Sequence, residues 1–325
     1  MDEMEKKTTV GADIFKKPLI IALFALLCCA LWGSASPAIK IGYVLLEVSG
    51  VPSTLLFAGI RFCAAGIITV AIYSIARKRF LYPKRENIKR VLTISAFQTV
   101  IQYIFFYVGL ANTTSVKGAI GSGSAAFFCV LIASLIFKQE KLTFKKILAC
   151  ILGFTGIVMV NLNGLEFNMN FIGDGFVIIS TISYAFSSVL MKRFSKHEDP
   201  VVISGYQFII GGAFMIVVGA ILGGKITVSD FGGIALLIYL ACLSAVAYAL
   251  WGILIQHNPV SKISIFSFTT PIFGTILSFI FLPDSSGVNF INLVITLVLV
   301  SIGILLLNYQ PKDKTLPAID ESKKM

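Results

Sequence analysis

Gln98 and Gln102 stand four residues apart, as do Trp32 and Ser36, while Ser244, Tyr248 and Trp251 follow at spacings of four and three. On an α-helix such separations bring side chains onto one face. Amides, hydroxyls and aromatic rings grouped in this way suit the holding of a small molecule by hydrogen bonds and ring contacts, with no bond made or broken. Tyr184 offers a further ring, and Arg61 a positive charge able to hold a carboxylate or phosphate.

The groups that covalent chemistry needs do not accompany them. His197 and His257 both fall in predicted loops, so no span supplies an imidazole base. The run Ile120-Gly121-Ser122-Gly123-Ser124 superficially resembles a serine-nucleophile motif, but an intramembrane Gly-x-Ser-Gly motif needs glycine where Ile120 stands. Cys28, Cys29, Cys63, Cys129, Cys150 and Cys242 all lie in apolar blocks, and no Cys/His spacing matches a metal site, so they read as small packing residues. The expectation is a non-enzyme without metal or cofactor.

The elements that carry these residues are apolar to an extent a soluble domain does not reach. The chain is 57% hydrophobic and 13% charged, with mean hydropathy +0.89, against about 45–50% and about 25% for soluble proteins. The apolar residues fall in ten blocks near the roughly 20 residues that cross a bilayer as a helix. They run over 19–41, 53–76, 91–111, 117–137, 144–163, 174–191, 200–223, 232–256, 263–282 and 290–309. The loops between them are too short for a soluble catalytic domain.

The net charge of +11 suggests nucleic acid until the basic residues are placed. Numbering the blocks alternately puts Lys6, Lys7, Lys16, Lys17, the basic run 77–90, the run 138–146, Lys192, Arg193, Lys196, Lys262 and the C-terminal lysines on one side. Lys40, Lys117 and Lys225 fall on the other. The positive-inside rule then predicts a multi-pass plasma-membrane protein with both termini cytoplasmic, and the partners are the lipid bilayer and a small molecule rather than nucleic acid. The N-terminus resembles a cleavable signal peptide, but an internal repeat makes use of that segment.

The repeat aligns Trp32, Ser36 and Lys40 with Tyr184, Ser188 and Lys192; Arg61-Phe62 with Gln207-Phe208; and Gly156 and Asn161 with Gly303 and Asn308. Five helices per repeat is an odd number, so the halves must oppose one another. The fold expected is an all-α polytopic membrane protein with ten transmembrane helices in a 5+5 inverted-topology repeat. Its parts are a cytoplasmic tail (1–18), a first repeat (19–163), a second repeat (174–309) and a cytoplasmic C-terminal tail (310–325). Inverted repeats suit alternating access around a midplane site.

The segments WGSASPAIK (32–40), FAGIRF (57–62), YVGLANTTSVKGA (107–119), LIFKQEKLT (135–143) and TTPIFGTILSFIF (269–281) resemble the drug/metabolite transporter superfamily, in particular its EamA-type ten-helix members. Phe127 stands where that pattern usually has proline, and Asp284 where it has glutamate; Glu140 keeps the other carboxylate. The resemblance implies a secondary transporter of a small organic metabolite, such as an amino acid, related metabolite or drug-like compound, and an exporter. A channel or facilitator is the alternative, a membrane-embedded enzyme a remoter one.

Each candidate residue has a structural alternative. Gln98 and Gln102 face a cavity or a neighbouring helix, and the aromatics line a site or fill a core. Arg61 binds an anion or ties backbone carbonyls, and the tie is preferred because the family pattern carries arginine across varied substrates. Pro37, Gly118, Gly121, Gly123 and Pro271 are hinge candidates or close-packing positions. The expected site lies between helices 1, 3, 6 and 8, with no carboxylate at mid-span.

Overall fold

The computed structural model describes residues 14–161, 168–228, 230–281 and 290–308. Lys6, Lys7, Glu166, Asp284 and the tail 310–325 lie outside the described residues. Ten helical spans follow in order: α1 Pro18–Leu45, α2 Gly50–Ala76, α3 Arg85–Ala111, α4 Lys117–Ile136, α5 Phe144–Val160, α6 Phe171–Phe194, α7 Pro200–Ile221, α8 Phe231–His257, α9 Val260–Phe281 and α10 Phe290–Asn308. Nine contain an apolar stretch long enough to cross a bilayer, and α5 has 17 described residues. No strand occurs among the described residues. His257, expected in a loop, is the last residue of α8, with its ring stacked on Phe15 at 5.8 Å.

In lipid, helices gain little from burying apolar side chains against one another, so association rests on close packing at small residues. The α2–α7 pair shows this most directly. A methyl group on Gly59 would lie 2.8 Å from the Gly212 carbonyl oxygen, and one on Gly66 would lie 2.5 Å from that of Gly205. As α2 advances from Gly59 to Gly66, α7 runs back from Gly212 to Gly205, so the two helices are antiparallel. Gly205 and Gly212 are themselves the repeat counterparts of Gly59 and Gly66, at the offset that relates Arg61 to Gln207. Each helix therefore presents the same face to its own copy, as a two-fold axis requires.

The α5–α10 pair repeats the arrangement. Gly156 faces Thr296 and Val300, Gly303 faces Ala149, and the Thr296 hydroxyl donates to the Gly156 carbonyl at 2.7 Å. Asn161 and Asn308, matched by the repeat, each donate to the carbonyl four residues earlier at 2.9 Å, satisfying an otherwise open carbonyl near the end of the helix. Around these pairs the first helices cross over: α1 packs on α8 and α9, while α6 packs on α3 and α4. Each half thus completes the other.

The halves differ in local geometry. Over Ser95–Ile101, α3 widens into π-helix, which leaves backbone groups without their usual partners. A side chain supplies one replacement, as Ser183 of α6 donates to the Phe97 carbonyl at 2.7 Å, and the same stretch is tied to α7 where the Ser95 hydroxyl donates to the Gln207 carbonyl at 2.9 Å. The counterpart helix, α8, is α-helical throughout.

Gly212→Val forces its Cβ into the α2 backbone, where even a methyl would sit 2.5 Å from the Cys63 nitrogen. Overpacking of this kind costs about 1–3 kcal/mol. A lowered melting temperature in detergent, with loss of the monodisperse peak, is the expected outcome. Cys242→Val, at an exposed position, should leave both unchanged.

Candidate functional site

Where α1 and α6 insert into the opposite halves, the helices do not close completely. They enclose a cavity of about 550 Å³, lined from α1 by Trp32, Ser36, Lys40 and Tyr43, from α3 by Gln102, Tyr103, Phe106 and Tyr107, and from α6 by Ser180, Thr181 and Tyr184. Arg61 of α2, Gly123 of α4, Tyr248 of α8, and Thr270 and Pro271 of α9 complete the wall. The volume lies within the roughly 300–1,000 Å³ of small-molecule sites. The cavity reaches the surface at Lys40 and Leu110, both exposed and both near the helix ends remote from the basic loops.

Rings form the floor. Trp32 meets Tyr248 and Trp251 edge-on, with centroids 5.2 and 4.9 Å apart. Phe62 stacks on its repeat counterpart Phe208 at 5.0 Å and 9°, and the Tyr103 and Tyr248 hydroxyls share a hydrogen bond of 2.8 Å. Beneath lies a dry layer of Cys28, Cys29, Cys129, Ala185, Ala247 and Phe266, each at most 2% exposed.

Below that layer the basic end is sealed by polar contacts. The Glu140 carboxylate accepts from Lys146 Nζ at 2.7 Å, from the Ser261 backbone N–H at 3.2 Å and from the Ser261 hydroxyl, joining the end of α4 to the start of α9. Lys192 donates to the Gln256 carbonyl, and Gln256 to the Ser195 carbonyl, each at 2.8 Å, joining α6 to α8.

Of the residues singled out in the sequence, Trp32, Ser36, Arg61, Gln102, Tyr184 and Tyr248 line the cavity, while Gln98, Ser244 and Trp251 do not. Gln98 lies within the π-helical stretch and is buried at 4% exposure, whereas Gln102, the first residue beyond it, reaches the cavity. Trp251 lies one layer below, under Trp32. Ser244 acts through Arg61, whose Nε and Nη2 donate to its hydroxyl at 3.2 and 3.1 Å; that hydroxyl donates in turn to the Leu240 carbonyl at 2.9 Å. Arg61 therefore holds a serine hydroxyl, in place of the expected backbone carbonyls.

Among the hinge candidates, Gly123 and Pro271 line the cavity. Gly118 and Gly121 lie where a methyl group would approach Leu110 and Val177 to 2.7 Å. Pro37 is buried within α1. Sequence reasoning passed over Tyr43, Tyr103, Tyr107 and Thr270. Tyr103 and Tyr107, four apart and beside Gln102, carried the signal. Three polar atoms in this wall, Trp32 Nε1, Gln102 Oε1 and Thr270 Oγ1, have no hydrogen-bond partner among the described residues. No cluster of potential metal ligands occurs among the described residues.

Fold and site together define a multi-pass membrane protein built of two opposed five-helix halves around a small-molecule cavity. Residues 19–162 and 171–309 each match the EamA-like transporter family, and the chain belongs to that family, whose members carry small solutes across membranes. A WAT1-related chloroplastic protein of Arabidopsis thaliana is 24% identical, over 82% of this chain and 65% of its own length; the chain thus spans just under two thirds of that relative. An uncharacterized transporter of Archaeoglobus fulgidus is 24% identical over 83% and 91%, and the uncharacterized transporter YvbV of Bacillus subtilis 23% identical over 83% and 87%. One protein crystal structure aligns with TM-score 0.71 at 17% identity, covering 88% of this chain and 95% of the other, which shows a shared fold.

Glu140→Ala removes the acceptor that joins α4 to α9. In a background without native cysteines, Ser264→Cys, at a position 1% exposed, is expected to react slowly with a water-soluble maleimide while Glu140 is intact and at least ten-fold faster in Glu140→Ala. Equal rates would show that the carboxylate does not hold this end closed.

Proposed function

We propose that the protein is a secondary transporter that moves a small organic metabolite across the plasma membrane by alternating access, working as an exporter. One observation carries the reading. The cavity lies between antiparallel halves, open at the Lys40 end and sealed toward Glu140. Two like halves can exchange conformations, and the exchange would open the sealed end and close the open one. The described basic residues of the loops lie mostly at the sealed end, which by the positive-inside rule is cytoplasmic, and the cavity then faces outward. Both termini lie on the cytoplasmic side in this reading.

The dry layer and the Glu140 contacts oppose a continuous channel. Among the described residues no carboxylate lines the cavity, and proton relays within membranes commonly use one. This favours facilitated diffusion or exchange over proton coupling. Membrane-embedded catalysis has no support, because among the described residues the wall offers no paired nucleophile and base.

Purified protein in liposomes, loaded with one metabolite mixture after another, should give saturable flux and accelerated exchange when the same compound is present on both sides. A protonophore should leave that flux unchanged. Flux linear in concentration, without exchange, would show a channel.

A further inference from the structure

Arg61 is placed as its counterpart Gln207 is placed. Gln207 of α7 accepts from Thr99 of α3 at 2.5 Å, and Arg61 of α2 donates to Ser244 of α8. Thr99 and Ser244 stand on α3 and α8, which are counterpart helices of the two halves. The same inter-half tie is thus made twice, once with a neutral amide and once with a guanidinium. A neutral side chain suffices for the tie. The charge at position 61 calls for a separate account.

The surroundings of the two side chains differ. Gln207 is wholly buried, whereas Arg61, at 3% exposure, forms part of the cavity wall. Arg61 Nε and Nη2 share one hydroxyl oxygen, Nη1 makes no hydrogen bond among the described residues, and no described carboxylate forms an ion pair with the guanidinium. A charge at this depth is costly unless it meets water or an opposite charge. Among the described residues the rest of the wall gives it no counter-charge: the other ionisable side chains lining the cavity are tyrosines and, at the mouth, Lys40. The Arg61 guanidinium carbon lies 4.8 Å from the centroid of the Phe62 ring, and Trp32, Tyr103, Phe106, Tyr107 and Tyr248 share the cavity wall with it.

We infer that this cavity takes an organic monoanion, a single carboxylate on a flat aromatic or apolar body, with Arg61 binding the carboxylate and the rings holding the body. The inference rests on the transport reading for its physiological meaning, though binding is measurable without transport. A dianion would leave one charge uncompensated at Arg61. A cation would meet like charge, and the ammonium group of a zwitterion would find no carboxylate. Lys40 at the mouth adds to the attraction of an anion. Gln102 Oε1 and Trp32 Nε1 remain as neutral acceptor and donor for a further polar group on the body.

The chain has two tryptophans, one in the wall and one directly beneath it, so intrinsic fluorescence reports this cavity. The test titrates the full-length protein in detergent with 3-phenylpropanoate, 3-phenylpropan-1-ol, 2-phenylethylamine and phenylalanine, which share a ring and differ in charge. The carboxylate should bind at least ten-fold more tightly than the other three. Arg61→Gln, which reproduces the residue native at position 207, should abolish that preference while leaving the melting temperature near wild type, and Arg61→Lys should restore part of it. Equal or tighter binding of the alcohol, the amine or the amino acid overturns the inference, as does a response to none of the four or a preference that persists in Arg61→Gln. The wild-type series decides the matter even if Arg61→Gln does not fold. Carboxylate binding without exchange in liposomes would refute the transport reading and leave the anion site standing; exchange of the amine would do the reverse.

Discussion

Everything in this fold depends on two backbones approaching where side chains would hold them apart. Within lipid, apolar surface has no water to escape, so helices gain by dispersion and by contact between polar backbone atoms. Gly59 and Gly66 on α2 and Gly205 and Gly212 on α7 leave no room even for a methyl group. Because these glycines are counterparts, one interface uses the same sequence element twice in opposite directions. The two-fold relation between the halves follows from that contact.

With α2 against α7 and α5 against α10, the first helix of each half is left to fill a gap in the other. The cavity is where these crossings stay open, so both halves contribute to its wall. Its polar atoms are sparse and mostly neutral, its rings numerous. The closed end is built differently: the Cys28 and Cys29 thiols donate to the Ala247 and Phe266 carbonyls at 3.4 and 3.2 Å within a dry layer, and Glu140 gathers three donors beyond it. Sealing thus relies on contacts that can part, whereas the helix pairs along the axis rely on contacts that cannot slide without clash.

Much of this was legible in the residues. Apolar blocks marked the ten helices, and the pairing of Gly156 with Gly303 and of Phe62 with Phe208 marked the repeat, because small and aromatic residues at an interface leave period and order in the chain. The site was partly legible. Trp32, Ser36, Gln102, Tyr184 and Tyr248 could be grouped because helical spacing is regular, while the burial of Gln98 within the π-helical stretch of α3 could not be read from that spacing. Nothing in SAFQTVI announces a π-helix: the groups that meet this stretch, the Ser183 hydroxyl of α6 and Gln207 of α7, arrive from distant sequence. Tyr103 and Tyr107 were passed over because an aromatic in an apolar block reads as core until the opposing wall is known. The partner of Arg61 was missed for a similar reason, since a serine in mid-helix ordinarily turns back onto its own carbonyls, as Ser244 also does.

The wide turn in α3 has no match in α8, so the two halves are alike in path and unlike in local geometry. A carrier assembled from perfectly equivalent halves would rest equally often facing either side and would show the same half-saturation concentration from both. Unequal halves bias the resting population, and the face that is exposed more often presents the lower half-saturation. Detailed balance still applies. Without a coupled ion such a bias cannot accumulate solute; it sets the concentration at which each compartment begins to saturate the carrier, and a solute therefore leaves and enters along differently shaped curves that meet at equal concentrations.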